Sequence, residues 1–568
     1  MLGDTDSDPV ARSGTRYETD HAVNSSDSLA AEGEAGNFDF RLLHIHSITR
    51  IGEKVNLTGR KNDGAKSAPA ERVGKAGEVY YNSLTMLGLS SLGSYLFLLY
   101  AAFVVVLTVQ ILLDNKAPEV TITWLLALYF LPYIGAIIYL LSGVNWKRKK
   151  IMKQLPEKTF RTYLGPILDQ QKRFMQESWE NIDNDVAKCL NLALNAGNSI
   201  ITLNNDVEFY HRGAPFFDDL LEDLRQATDT IHMEFFIYRS DELGRRIMDI
   251  LLDKAREGVT VRMLFDGVGC FNKMSLQFKR ELRESPIEAR YFLDPTNVLS
   301  GRLLNYCNHR KITVIDGQIG YTGGMNIGLD YLNGGRRFPS WRDTHLRVEG
   351  ESVKMLQSVF LSDWYNSGGE KIYEARYFPE PKGGAARVPM QVVCSGPDSD
   401  WNSLKYLYFT LISNANSRVF IESPYFIPDV TMMSALETAA LSGVEVNIMI
   451  TGLPDKRIPF WVAHTYFETL LQAGANVYLY KKGFYHPKVL VADDQIATVG
   501  SCNMDVRSFH LDYEVNAFFY SEEISRQLVE QFYQDSAECT RITLEELRDL
   551  HFLKRLRNSL FRIVAPLL

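Results

Sequence analysis

Residues 308–328 read NHRKITVIDGQIGYTGGMNIG, and residues 485–505 read YHPKVLVADDQIATVGSCNMD. Counted from His309 and His486, both stretches place a lysine at +2 (Lys311, Lys488) and an aspartate at +7 (Asp316, Asp493). Both also carry a glycine at +14 (Gly323, Gly500) and an asparagine at +17 (Asn326, Asn503). At average residue usage, one H-x-K-x4-D match is expected about 0.03 times in a chain of this size, so two matches with the added Gly and Asn are not an accident. The chain carries a duplication.

The surroundings repeat as well. Thr230–Tyr238 reads as a strand, Asp241–Glu257 as an amphipathic helix and Val259–Asp266 as a second strand. Arg418–Phe426, Asp429–Ser442 and Val444–Thr451 follow the same succession. Gly258 and Gly443 close the two helices, as helix stop signals do. Strand–helix–strand order predicts an α/β fold with crossover helices, present in two copies.

Side chains two apart on a strand share a face, so His309 and Lys311 point together, as do His486 and Lys488. An imidazole and an ammonium directed into one cleft suit a phosphate. The lysine neutralises non-bridging oxygens while the imidazole reacts. Asp316 and Asp493 complete the motif but fall on the opposite parity, just before a turn, and are expected to support or orient. A reacting histidine also needs its second ring nitrogen held by an acceptor. Asp343 in WRDTHLRVEG and Glu514 in DYEVNAFFY, 34 and 28 residues beyond the histidines, are the candidates. Asn326 and Asn503 join them as expected orienting residues. Glu234 and Glu422 coincide between the repeats in strands, where an acid is costly unless paired, and so predict a polar cleft nearby.

The chain has 568 residues, 46% hydrophobic and 23% charged, with net charge −8. Such a composition excludes wholly disordered, collagen-like and disulfide-scaffold proteins. Residues 1–40 hold nine acids and two bases, a net of −7, so the rest is nearly neutral. A near-neutral body argues against a dedicated nucleic-acid binder. The six cysteines are scattered without a CxxC pair, which argues against a zinc site and fits a reducing compartment.

Between Val79 and Leu113 there is no charged residue, and Gly93–Leu113 alone is long enough to cross a bilayer. After a short polar link, Val120–Val144 is again uncharged, which predicts a transmembrane hairpin whose second span Pro132 kinks. Lys147, Arg148, Lys149 and Lys150 follow directly, so the positive-inside rule puts both chain ends in the cytoplasm. At the C-terminus, Phe552, Leu553, Leu556, Leu560 and Ile563 recur at helical spacing among Lys554, Arg555, Arg557 and Arg562. That segment suits either an anionic lipid surface or packing on the body.

The doubled signature resembles that of the phospholipase D superfamily, over about Asn195 to Arg555. Within it, HRKITVIDGQIGYTGGMNIG, WRDTHLRVEG, SPYFIPD, GSCNMDVRSF and TWLLALYFLPYIGAIIYLLSG are similar to the patterns of bacterial cardiolipin synthases. Cys307, where a basic residue is expected, and Cys502, where Ala is usual, depart from them. The resemblance implies two tandem α/β/α sandwich halves with pseudo-twofold symmetry, their histidines meeting at the interface, with neither metal nor cofactor. It implies phosphatidylglycerol as substrate, an anionic membrane as surroundings, and ping-pong transfer through a phosphatidyl-histidine. By analogy His309 is the nucleophile and His486 the acid/base, and the symmetry leaves the reverse open. A phospholipase D or another phosphatidyltransferase is the alternative, a nuclease or an inactive scaffold a remoter one.

The expected organisation is an acidic tail (1–78), the hairpin (79–145), a basic helical linker (146–194), a first half (195–385), a second half (386–555) and an amphipathic segment (556–568). The expected location is the bacterial cytoplasmic membrane, multi-pass, with the catalytic body inside.

Overall fold

The computed structural model describes residues 93–143 except 117, residues 183–294, residues 305–563 except 373 and 384, and the single positions 165, 169 and 173. The chain divides into two units, Met1–Met86 and Leu87–Leu568, and all described residues belong to the second. The acidic tail, the start of the first apolar run and most of the basic linker lie outside the described residues.

The two halves are built on one plan. In the first sheet the strands run Glu288–Phe292, Thr260–Asp266, Thr230–Phe235, Lys311–Ile315, Ile319–Gly323 and Trp341–Gly350, with Asn205–Arg212 beside the last. In the second they run Asn476–Tyr480, Glu445–Thr451, Arg418–Glu422, Val489–Ala492, Ile496–Gly500, Asp512–Tyr520 and Met390–Ser395. The three strands at one end of each list pair in parallel and the others antiparallel, in the same sequence in both sheets. The parallel pairs are the strand–helix–strand units read from the sequence. Their helices, Glu242–Arg256 and Val430–Leu441, are capped by the side chains of Asp241 and Asp429. They stop at Gly258 and Gly443, whose φ of 98° and 94° ordinary residues rarely adopt.

Alternation along the strands fills the buried cores among the described residues. Ile312, Val314, Leu346 and Val348 of the first sheet share one buried cluster with Val489, Val491, Val515 and Ala517 of the second, so the halves meet over a common apolar layer. Helices Gly213–Gln226, Glu242–Arg256 and Leu276–Glu284 cover the outer side of the first sheet. Helices Ser403–Asn414, Val430–Leu441 and Arg457–Ala473 cover that of the second.

Three boundaries differ from the sequence reading. Ile201–Thr202, assigned there to the first half, pairs with Met390–Gln391 of the second sheet. The helix Asn184–Gly197 also places Cys189 and Ala193 in the second half's core. The chain thus enters through its second half before building the first, which local periodicity does not reveal. The C-terminal helix runs Phe552–Ile563, across the expected break at 555.

The first apolar run is one helix, Gly93–Leu113, with mean hydropathy 2.7 over its most apolar window and only 17% of that window buried by protein. The second breaks at Leu131–Tyr133 around Pro132, leaving helices Pro118–Phe130 and Ile134–Ile138 and a π-helical turn Tyr139–Gly143. Proline removes a backbone donor and clashes with the preceding turn, so the expected kink is a full interruption. The C-terminal helix packs on the body by one face and leaves most of its apolar residues uncovered. Its Arg557 lies 4.0 Å over the Trp461 ring and Phe561 packs on the same indole, while Phe552, Leu553, Leu556, Leu560 and Ile563 are exposed. Its last carbonyl, that of Ile563, accepts a hydrogen bond of 3.5 Å from Thr123 in the hairpin.

Candidate active site

Each histidine is placed by the other half. Cys307–Asn308, just before His309, pairs in parallel with Asp512–Tyr513 of the second sheet, and the His309 amide donates to the Tyr513 carbonyl at 2.9 Å. Phe484–Tyr485, just before His486, pairs with Trp341–Arg342 of the first sheet, and the His486 amide donates to the Arg342 carbonyl at 2.8 Å. The register brings the next residue of each receiving strand against the imidazole. His309 Nδ1 lies 3.0 and 3.1 Å from the two Glu514 carboxylate oxygens and 3.1 Å from the Ser501 carbonyl. His486 Nδ1 lies 2.6 Å from Asp343 Oδ2. With Nδ1 donating in each case, Nε2 keeps its lone pair and faces away from the carboxylate.

Behind each imidazole stands its lysine. Lys311 Nζ donates to the His309 carbonyl and Lys488 Nζ to that of His486. Burial pushes the Lys311 ammonium down to about 7 and Lys488 to about 8, against the pull of Glu514 and Asp343 on both. Each lysine acts on both histidine–carboxylate pairs, so the four groups form one electrostatic unit. Burial and the two lysines hold the His309 imidazole well below its ordinary value. Burial and Lys488 bring His486 to about 4 against the opposing Asp343.

The carboxylates diverge. Burial raises Glu514 to about 7 despite Lys311. Burial also acts to raise Asp343, but His486 and Lys488 outweigh it and keep that carboxyl below the usual range. The Asp343 pocket leaves no room for a side chain opposite: a Cβ on Gly324 would stand 1.9 Å from Asp343 Oδ1.

The motif aspartates lie away from the imidazoles, while Asn503 lines a cleft beside His309. Asp316, grouped with the motif in the sequence, sits at φ 52° in the turn beyond the strand. Its carboxylate accepts hydrogen bonds from the amides of Thr228, Asp229 and Thr230 and from the Thr228 hydroxyl, all at 2.8–2.9 Å. Asp493, also at φ 52°, holds the amides of Asn416, Ser417 and Arg418 and the Ser417 hydroxyl in the same manner. Neither reaches a histidine. Asn326 accepts from the Ile237 amide at 2.9 Å and donates to Tyr331 Oη at 3.2 Å. Asn503 donates to Ser508 Oγ at 3.3 Å.

Glu234 and Glu422 bear on the residue before each histidine: Glu234 accepts from the Asn308 amide group, Glu422 from Tyr485 Oη at 2.6 Å. A buried arginine neutralises each acid cluster. Arg310 pairs with Asp363, and Arg342 pairs with Asp535 at 2.7 Å. These four residues escaped the sequence reading. Asp363 and Asp535 follow Asp343 and Glu514 by 20 and 21 residues, a repeat that an alignment of the halves beyond the histidine motif would have exposed. Arg507 reaches from the second half to Cys307 Sγ at 3.3 Å, so a cation does stand by that position, supplied from elsewhere in the chain.

A duplicated α/β fold with two reciprocal histidine–carboxylate pairs over buried lysines defines a protein of the phospholipase D superfamily. Profiles described as "Cardiolipin synthase, PLD-like domain" match residues 220–338 and 408–536, and one described as "Phospholipase_D-nuclease N-terminal" matches 97–143. A cardiolipin synthase of Geobacillus sp. (strain WCH70) is 38% identical over 83% of this chain and 93% of its own. One from Halalkalibacterium halodurans is 39% identical over 82% and 92%. Among solved structures, phosphatidylserine synthase of Haemophilus influenzae Rd KW20 superposes with TM-score 0.51 at 15% identity, over 68% of this chain and all of that one, which is likeness of fold. The chain belongs to the cardiolipin synthase family.

Proposed function

We propose that the chain joins two phosphatidylglycerol molecules into cardiolipin and free glycerol. The observation that carries this reading is the pair of imidazoles, each with Nδ1 tied to a carboxylate of the opposite half and each backed by a buried lysine. His309 Nε2 attacks the phosphorus of one lipid, and the P–N bond forms as the bond from phosphorus to the head-group glycerol oxygen breaks. His486 gives that oxygen its proton. A hydroxyl of the second lipid then attacks the phosphatidyl-histidine, its proton passes to His486, and the P–N bond breaks. One phosphodiester replaces another, so no nucleotide is consumed. Lys311 and Lys488 neutralise the non-bridging oxygens.

The unlike carboxylates support this division of roles. An ionised Asp343 at 2.6 Å favours the imidazolium form of His486, opposing the burial and Lys488 that bring this ring to about 4, whereas the more neutral Glu514 leaves His309 an uncharged nucleophile. Asp316 and Asp493 hold the strand-end turns, and Asn326 and Asn503 fix the loops beside the histidines.

The chain is read as a multi-pass membrane protein of the bacterial cytoplasmic membrane with both ends inside. The exposed apolar surface of Gly93–Leu113, the uncharged second segment and the basic run after it support this reading. The halves are taken as about 195–385 and 386–555, with Asn184–Thr202 completing the second.

The test is purified enzyme in detergent or liposomes with phosphatidylglycerol as sole substrate. Cardiolipin and glycerol in equal amounts are expected. Phosphatidic acid as sole product would make the protein a lipase.

A further inference from the structure

Beside His309 an open cleft of about 590 Å³ runs to the start of the helix Arg457–Ala473, with Lys456, Pro459, Tyr425, Asn503 and Arg507 on its walls. No side chain caps that helix start and its first turn contains no acid, features it shares with Gly213–Gln226 and Ser403–Asn414; what distinguishes it is that its first positions are Lys456 and Arg457. Cations at this end oppose the helix dipole, and free amides there remain unsatisfied unless an anion arrives. Among the described residues neither Lys456 nor Arg457 has an ion-pair partner. Of the acids lining the same cleft, Asp512 pairs with Arg507 through Oδ2 at 3.1 Å and keeps a buried Oδ1 without a hydrogen-bond partner among the described residues, and Asp505 caps the Ser508 amide at 2.7 Å. Independently, Asn503, which lines this cleft and is only 6% exposed, leaves its buried Oδ1 without a hydrogen-bond partner among the described residues.

We propose that this cleft is the subsite of the acceptor lipid: the helix start with Lys456 and Arg457 takes its unreacting phosphodiester, and Asn503 Oδ1 accepts a hydrogen bond from its glycerol. The inference rests on the proposed transfer reaction and deepens it. Two anionic phosphoryl groups must lie close together when the second transfer occurs, the phosphatidyl group held by its P–N bond on His309 and the phosphodiester of the incoming lipid. Lys311 and Lys488 serve the first. An acceptor without a phosphate, such as water or glycerol, has no use for a second cationic station, so this subsite selects lipid over small hydroxyl compounds.

The experiment compares two acceptors in one vessel. Phosphatidylglycerol vesicles with radiolabelled glycerol let the phosphatidyl-enzyme either form cardiolipin or return to labelled phosphatidylglycerol. In the Lys456→Ala, Arg457→Ala double variant the ratio of cardiolipin to labelled phosphatidylglycerol falls at least tenfold, while Lys456→Arg keeps it. Lys456→Glu separates function from folding, because an acid suits a helix start yet repels the acceptor: this variant stays folded with the ratio reduced further. A ratio within twofold of wild type in these charge-removing variants overturns the subsite, whether both products decline together or neither does. Failure of the wild-type enzyme to make either product counts instead against the transfer reaction itself.

Discussion

His486 Nδ1 stands 2.6 Å from the carboxylate of Asp343, a residue 143 positions earlier in the chain and in the other sheet. His309 is held by Glu514, 205 positions later, in the mirror arrangement. Neither His309 nor His486 takes its carboxylate from its own half: each half furnishes the ring of one pair and the acceptor of the other.

The two carboxylates differ in what else surrounds the ring. Asp343→Asn turns the one acceptor that the described residues give His486 Nδ1 into an amide that can present its donor, favouring the wrong tautomer, and is expected to lower kcat by about 10²–10⁴ with the protein still folded. Glu514→Gln leaves the Ser501 carbonyl at 3.1 Å to hold His309, so its loss should be at least tenfold smaller. Steady-state transfer rates of the two variants check this, and equal losses would refute the asymmetry.

Gly324 supplies a second route to the same pair. Its absent side chain is what admits Asp343 Oδ1, since a Cβ there would approach to 1.9 Å. Gly324→Ala should therefore reduce kcat much as Asp343→Asn does. Combined, the two should cost little more than either alone, because they disable one unit. Fully multiplicative losses would show that the glycine serves something else.

The lysines set an alkaline limit. A lysine is charged below its pKa, and burial has brought Lys311 to about 7 and Lys488 to about 8. Raising pH through 7–8 therefore strips the free enzyme of the charge that receives phosphate, and kcat/KM should fall across that interval. A bound phosphodiester restores the charged form, so kcat should hold to higher pH. Parallel profiles for kcat and kcat/KM between pH 6 and 9.5 would contradict this account.

Much of this was legible in the sequence. The doubled spacing showed the two-copy α/β plan and nominated the two histidines and two lysines that the structure brings together, because strand parity and helix stop signals are local. Asp343 and Glu514 could be nominated from their place in the repeats. Their crossed pairing could not, because it depends on Cys307–Asn308 and Phe484–Tyr485 each joining the opposite sheet, a relation between segments far apart in the chain. Arg310–Asp363 and Arg342–Asp535 were hidden for a related reason. One arginine follows a histidine and the other precedes a carboxylate, so the repeats do not align them. The entry of Ile201–Thr202 into the second sheet was likewise a tertiary choice.

The motif aspartates separate stability from chemistry. Asp316 accepts four hydrogen bonds and Asp493 five, each in a turn at φ 52°, where aspartate and asparagine are tolerated better than alanine. Alanine loses both the acceptor and the backbone fit, and each substitution should cost about 2–4 kcal/mol, asparagine less. At about 2–4 °C per kcal/mol for a body of this size, Tm in detergent should drop by several degrees. Burial works to raise the Asp493 carboxyl, but the amides of Asn416, Arg418 and Ser417 and the Ser417 hydroxyl hold it below its ordinary value. Its contribution is therefore complete above the unfolded value of about 4 and fades as pH falls through the lower folded one. Asp493→Asn should lose that acid-dependent part of the stability profile. Transfer per folded molecule should change less than tenfold in either alanine variant, in contrast to substitutions at His309 or His486. A collapse of kcat with Tm unchanged would return these aspartates to the chemistry.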